Sequence, residues 1–175
     1  MASKVAVIMG GTSFERNFSL LSGRLVSESL ARSGFDVLTL DADAHLVDTL
    51  RAEKPDVAFI CMHGAGGEDG AVPALLEFLR IPYVGSRPAS CRAAWNKADM
   101  PFLMRRVYGK HESLVVWPPQ LVLPASAFKD LGAAKALDII PERLGGGSGF
   151  PLAVKPADLP WAFLVSISPR ILDMP

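Results

Sequence analysis

Five consecutive apolar residues, Val5 to Met9, close on Gly10-Gly11. A short unbroken apolar run of this kind predicts a strand buried on both faces of a parallel sheet. From about Ser19 to Arg32 the spacing turns helical, with Leu21, Leu25, Val26, Ser29 and Leu30 on one face and Ser33-Gly34 as the stop. Val37 to Leu40 predicts a second strand, and Asp41 at its end precedes a helical stretch over about 44–53. Lys54-Pro55-Asp56 punctuates before a third strand, Val57 to Met62. A glycine-rich loop from His63 to Gly70 then leads into a helix over 71–79, and Pro82 to Gly85 reads as a shorter fourth strand. The alternation βαβαβαβ predicts an α/β fold to about residue 90: a parallel, Rossmann-like sheet with helices on both faces. Ligands of such sheets gather at the carboxyl ends of the strands, which singles out Gly10–Arg16, Asp41–Asp43 and His63–Gly70.

After Ser86 the pattern changes. Cys91 to Val107 predicts one helix with a kink or break at Met100-Pro101. Leu114 to Trp117 and Leu121 to Leu123 are strand-like but split by Pro118-Pro119, and Ser126 to Leu144 reads as helix. Gly145 to Gly149 is a flexible joint before a short strand, Pro151 to Pro156. Residues 91–157 thus predict an incomplete second domain.

Composition narrows the class. The 175 residues carry 18 Lys+Arg against 18 Asp+Glu, a formal net charge of zero, and 50% are hydrophobic. Disorder is excluded, and neither nucleic acid nor an anionic membrane is expected as partner. Two cysteines, Cys61 and Cys91, set neither a disulfide framework nor a zinc pattern, so a cytoplasmic protein is expected. No run approaches the ~20 apolar residues of a spanning helix.

Two loops carry candidate chemistry. In Gly10-Gly11-Thr12-Ser13-Phe14-Glu15-Arg16 the glycines let a ligand approach the backbone at a helix start. The later glycines of a dinucleotide fingerprint and the Gly-Lys-Ser/Thr of a P-loop are both absent from it. Glu15 could hold a substrate ammonium, or it could simply favour the helix dipole. In His63-Gly64-Ala65-Gly66-Gly67-Glu68-Asp69-Gly70 the imidazole stands where it could meet a carboxylate. The plainer account is a turn in which Asp69 caps the next helix and His63 is a satisfied hydrogen bonder. Lys155, in Val-Lys-Pro, could neutralise a phosphate, though a lone lysine is usually solvated surface, and so with Lys97. Asp41 to Asp43 is placed to read a ribose, and Cys61 reads as a small core residue.

Taken together, residues 4–16 and the pattern His63-Gly64-x-x-Gly67-Glu68-Asp69-Gly70 resemble the D-alanine–D-alanine ligases of the ATP-grasp superfamily. The similarity runs on through Ile81 to Ser86, Lys97 and Pro151 to Ala157. It implies a pre-ATP-grasp domain over 1–90 and the start of an ATP-grasp central subdomain over 91–157. It implies the ADP-forming ligation of two D-alanines for peptidoglycan, through an acyl phosphate of the first. Glu15 would help hold and orient that first D-alanine as the catalytic residue, and Ser19 and His63 would also bind it, His63 at its carboxylate. Lys97 and Lys155 would contact ATP phosphates, a positive clamp suited to phosphoryl transfer. Mg2+ would be held by residues of the family's C-terminal part, and full-length members are homodimers. Asn17-Phe18 departs from the acidic residue and Val usual in the family, which would reshape the D-alanine pocket. A non-catalytic D-alanine-binding or pairing fragment, and a ligase of the D-alanine–D-lactate or D-serine type, stay open.

The end of the chain departs from the family. After Lys155-Pro156 the family runs into a Gly-Ser-Ser-Val-Gly phosphate loop, whereas this chain continues Asp158-Leu159-Pro160-Trp161 and stops soon after. Reading across codon boundaries from Ala157, permitted synonymous codons spell Gly-Ser-Ala-Val-Gly-Val-Ser-Arg-Val-Asp. The Gly spanning Trp161 and Ala162 is forced, because TGG followed by GC contains GGC. A frameshift near Ala157 is therefore expected, with 158–175 an out-of-frame tail and no ligase turnover by the chain alone. The apolar run Leu159 to Ile167 would be an aggregation hazard if exposed.

Overall fold

The computed structural model describes residues 2–109 and 120–124 continuously and, after them, positions 126, 129, 130, 132, 135, 139, 140, 142–144, 155 and 157. The expected strands at 114–117 and 151–156, the glycine joint and the 158–175 tail lie outside the described residues, Lys155 excepted. The chain divides into two compact units, Met1–Trp95 and Asn96–Pro175.

In the first unit β1 (Lys4–Met9), β2 (Asp36–Asp41), β3 (Val57–Ile60) and β4 (Tyr83–Val84) form one sheet in the order β2-β1-β3-β4, every pair parallel. The expected parallel α/β architecture is thus observed. β1 is central and buried along almost its whole length, and its side chains alternate between two cores. Ala6 and Ile8 face Leu46 and Leu50 of α2 (Leu46–Glu53) and Val72 and Leu76 of α3 (Ala71–Phe78). Val5, Val7 and Met9 face Leu20, Val26 and Leu30 of α1 (Arg16–Arg32). Burying a side chain such as Ile8, Leu50 or Leu76 contributes about 2 kcal/mol each, and all three are fully buried.

The expected face of α1 is rotated. Val26 and Leu30 do pack on the sheet, but Leu21 and Leu25 are 54% and 58% exposed, and the buried positions are Ser19 and Gly23. The cause is a close approach: a Cβ at Gly23 would lie 2.6 Å from the Met9 side chain. The helix therefore packs by its smallest residues, which a count of apolar positions does not register. It also starts three residues earlier than expected, at Arg16. Its end is as the sequence indicates: Gly34 is left-handed (φ +86°) and the N–H of Phe35 returns to the Leu30 carbonyl at 3.2 Å.

The helix expected over 91–107 is two helices, α4 (Pro88–Trp95) and α5 (Met100–Tyr108). The break precedes Met100-Pro101 rather than falling on it. Asn96 closes a turn by accepting the Ala98 N–H at 3.0 Å and donating to Asp99 at 2.9 Å. Pro101 then sits in the first turn of α5, where a missing N–H costs nothing. Leu121–Leu123 is not a strand: Pro124 and the preceding prolines remove ladder donors. The helix expected over 126–144 is interrupted at Gly132 (φ +73°), with helical positions on both sides. No described helix is long and apolar enough to cross a membrane.

Candidate functional site

β1 feeds β2 on one side of itself, and the chain then crosses to β3 on the other. The loops after β1 and β3 therefore open into one crevice at the carboxyl edge of the sheet, the topological switch point. These are the two glycine-rich loops singled out from the sequence.

The first is tied down on both flanks. Toward β3, the Ser19 hydroxyl accepts the Gly10 N–H at 2.8 Å and donates to the Cys61 carbonyl at 2.9 Å. The Ser13 hydroxyl donates to the His63 carbonyl at 2.7 Å and accepts the Glu15 N–H at 3.1 Å. Toward β2, Asp41 accepts the Gly11 N–H at 3.0 Å and pairs with both terminal nitrogens of Arg16, which in turn donates to the Gly11 carbonyl at 3.0 Å. Both polar backbone groups of Gly11 are thereby held. Gly10 (φ +78°) has no room for a side chain, because a Cβ there would stand 2.1 Å from Asp41 Oδ1.

Glu15 lies at the N-cap of α1 yet makes no capping hydrogen bond with its side chain. It is 8% exposed. Its carboxylate lies over Gly64, where a Cβ would fall 2.5 Å from Oε2. The acid of the first loop and the histidine of the second are thus one residue apart across the crevice. His63 projects Nε2 to 2.9 Å from Ser22 Oγ of α1 and Nδ1 to 3.7 Å from Glu68 Oε1. Asp69 braces the second loop from within, accepting the Gly66 N–H at 2.8 Å and the N–H of Ala71, at the start of α3, at 2.9 Å. Glu15 is therefore brought against Gly64, the residue that follows His63 in the chain. Ser19, expected beside Glu15 and His63 as a substrate group, is fully buried with its hydroxyl spent on Gly10 and Cys61. It braces the loops from beneath.

Asp41 is not placed to read a ribose, because its carboxylate is taken. The hydrogen bond from Arg16 is the main cause that holds its pKa down to about 2, with the Gly11 and Ala42 N–H groups adding to it against the cost of burial. Cys61 is buried and its thiol is pushed up by desolvation, as befits a core residue. Phe18 is exposed on the first turn of α1. The roles of three residues escaped sequence reading: Arg16, Ser22 and Glu68. Arg16 and Glu68 stand in the two singled-out loops, whereas Ser22 had no local signal. Ser22 lies 41 positions from His63 and Arg16 25 from Asp41.

In the second unit, the Lys97 N–H donates to the Ala157 carbonyl at 2.8 Å, and the Lys97 carbonyl accepts from Gln120 at 2.8 Å. The segments bearing Lys97 and Lys155 therefore meet, with Lys155 itself exposed. Among the described residues no three His, Cys, Asp or Glu side chains gather as a metal site.

A parallel sheet with two glycine-rich loops, a buried acid and a histidine at its switch point has the architecture of the doubly wound α/β proteins, whose ligands gather at that point. Comparison with known proteins gives the kind. A sequence profile described as "D-ala D-ala ligase N-terminus" matches residues 45–86. A D-alanine–D-alanine ligase of Ruegeria pomeroyi is 38% identical over 174 residues, covering 93% of this chain and 54% of the relative. A D-alanine–D-alanine ligase B of Pseudomonas putida is 40% identical over 154 residues, 88% of this chain and 43% of the relative. Among solved structures, the Bacillus anthracis D-alanine–D-alanine ligase complexed with ATP superposes with a TM-score of 0.61 at 25% identity, covering 98% of this chain and 53% of that one. The chain spans about half the length of the curated relatives it matches. In sequence and fold it is similar to D-alanine–D-alanine ligases over about half their length, and residues 45–86 match the profile of their N-terminus.

Proposed function

We propose that these residues form the first-substrate part of an ATP-dependent D-alanine–D-alanine ligase, which joins two D-alanines with release of ADP and phosphate. The observation that carries this is the buried Glu15 carboxylate packed against Gly64, next in the chain to His63, in a chain similar to ligases of that name. A buried carboxylate and an imidazole offer complementary partners to the ammonium and carboxylate of one small amino acid. Gly10, Gly11 and Gly64 let the Asp41, Met62 and Glu15 side chains lie against the loop backbones, since any Cβ there would collide with them.

Binding in this arrangement orients as well as holds. With its ammonium on Glu15 and its carboxylate drawn to His63, the substrate is fixed along one direction, which lowers the entropic cost of the later transfer. Lys97 and Lys155, on segments that meet in the second unit, fit the phosphates of ATP as point charges; bound ATP would supply the phosphoryl group that activates the carboxylate. The described residues offer no cluster of three His, Cys, Asp or Glu side chains for magnesium. The full-length assembly is read as a homodimer working in the cytoplasm.

Calorimetry with D-alanine tests the reading. The 175-residue chain should bind D-alanine in preference to L-alanine, and Glu15→Gln should weaken binding by about tenfold, the loss of one charge-assisted contact. Equal binding of the two enantiomers, or an E15Q variant that binds as well as the parent, would refute it.

A further inference from the structure

At His63 the Nε2 atom is hydrogen-bonded to Ser22 at 2.9 Å, while Nδ1 faces the Glu68 carboxylate at 3.7 Å. The ring has only these two nitrogens, so a ligand carboxylate either breaks the Ser22 bond or comes in at Nδ1, where it meets the Glu68 carboxylate. The two contacts are unequal. The Ser22 contact has hydrogen-bond length, is partly buried, and comes from the second turn of α1, a regular helix packed on the sheet. The Glu68 contact is too long for a hydrogen bond, and the side chains of His63 and Glu68 are 39% and 43% exposed. The weaker partner is also the one with the chemistry of the ligand: it is a carboxylate.

We infer that Glu68 is a built-in stand-in for the substrate carboxylate, holding the Nδ1 side of His63 until an amino acid's carboxylate takes its place. Ser22 keeps the ring oriented through Nε2 during the exchange and is a positioning residue. The inference rests on the reading of Glu15 and His63 as the ammonium and carboxylate partners of D-alanine, and deepens it by naming what the ligand displaces. Exchange of one carboxylate for another leaves the charge facing the imidazole unchanged. A ligand with an amide in that place removes the Glu68 contact and returns no charge, so the crevice selects free amino acids over their amides. Glu68 can leave without unravelling its loop, because the loop is held by Asp69 and by the Glu68 N–H to the Gly64 carbonyl at 2.9 Å, not by the Glu68 side chain.

The test reads the ring itself. In the 175-residue chain, nitrogen NMR of the His63 imidazole should show Nδ1 shifting on addition of D-alanine or of formate, with Nε2 unmoved, and D-alaninamide should leave both in place. Glu68→Gln, which keeps the side-chain length and removes the competing charge, should bind D-alanine about threefold more tightly, the scale of a half-exposed ion pair. Glu53→Gln, which removes a charge at the opposite end of β1, should bind as the parent does. An E68Q variant that binds D-alanine equally or more weakly, or a response at Nε2 instead of Nδ1, would overturn the exchange. If formate moves Nδ1 and D-alanine does so no better than formate, the exchange stands and the reading of the crevice as a D-alanine site falls. If neither carboxylate moves Nδ1, the exchange falls.

Discussion

The loop from Gly10 to Glu15 is tied to three other elements, whereas the loop from His63 to Gly70 is held mainly by itself. Gly10 is bonded through Ser19 to the end of β3, Gly11 through Asp41 to the end of β2, and Ser13 to the His63 carbonyl. In the second loop, Gly67 and Glu68 return to the Gly64 carbonyl, Val72 to that of Gly66, and Asp69 bonds to two N–H groups within its own segment. Damage to the first loop should therefore spread into the sheet. Damage to the second should stay local and register in ligand binding more than in stability.

Four substitutions sharpen that contrast. The largest expected effect is Gly10→Ala, which must adopt a positive φ and push Asp41 out of its pair with Arg16. A loss of about 3 kcal/mol in urea denaturation is expected from strain and overpacking together. Ser19→Ala should cost about 2 kcal/mol, because it leaves a buried donor and a buried acceptor without their shared hydroxyl. Its expected signature is slower recovery of the Gly10 and Cys61 backbone environments, seen as faster amide exchange at the ends of β1 and β3 together. Asp69→Ala should cost about 1 kcal/mol, the scale of a lost helix-start contact. Its amide-exchange changes should be confined to residues 64–74; changes that reach β1 would break the comparison.

The smallest effect is a pH dependence. The folded-state pKa of Asp41 is lowered to about 2, so its contribution is complete above the unfolded carboxylate value and fades as pH falls through the folded one. With the carboxylate one-third exposed, screening leaves about 1 kcal/mol to be lost between roughly pH 4 and pH 2. Asp41→Asn should be less stable than the parent at pH 7, and the gap should close by pH 2. A gap that persists at pH 2 would show that the Asn perturbs packing and not charge.

The division between legible and illegible follows the range of the interactions. β1 and α3 were readable because one continuous apolar segment defines each, and so was the place of both loops at carboxyl ends of strands; that they share one crevice follows from the strand order, which only the structure gives. The face of α1 was partly misread because Ser19 and Gly23 make its closest contacts beside Leu20, Val26 and Leu30, and neither counts as hydrophobic. Ser19 was expected as a ligand through the family resemblance alone; the bond that occupies its hydroxyl is to Cys61, 42 residues away. Asp41 looked available from its place at the end of β2, since nothing local to that strand announces Arg16. Glu15 and His63 were legible as types of group, but the approach of Glu15 to the second loop depends on Gly64, whose missing side chain admits the carboxylate.

The Ser19 bridge also has a direction. A hydroxyl carries one proton, so the order Gly10 N–H to Ser19 O–H to Cys61 carbonyl admits only one sense of donation. That single proton is shut away from solvent and joins the ends of the two strands that frame the crevice. It should exchange with water only when those ends part, which makes it a natural clock for the opening of the site, legible in the intact protein without any label placed near the ligand.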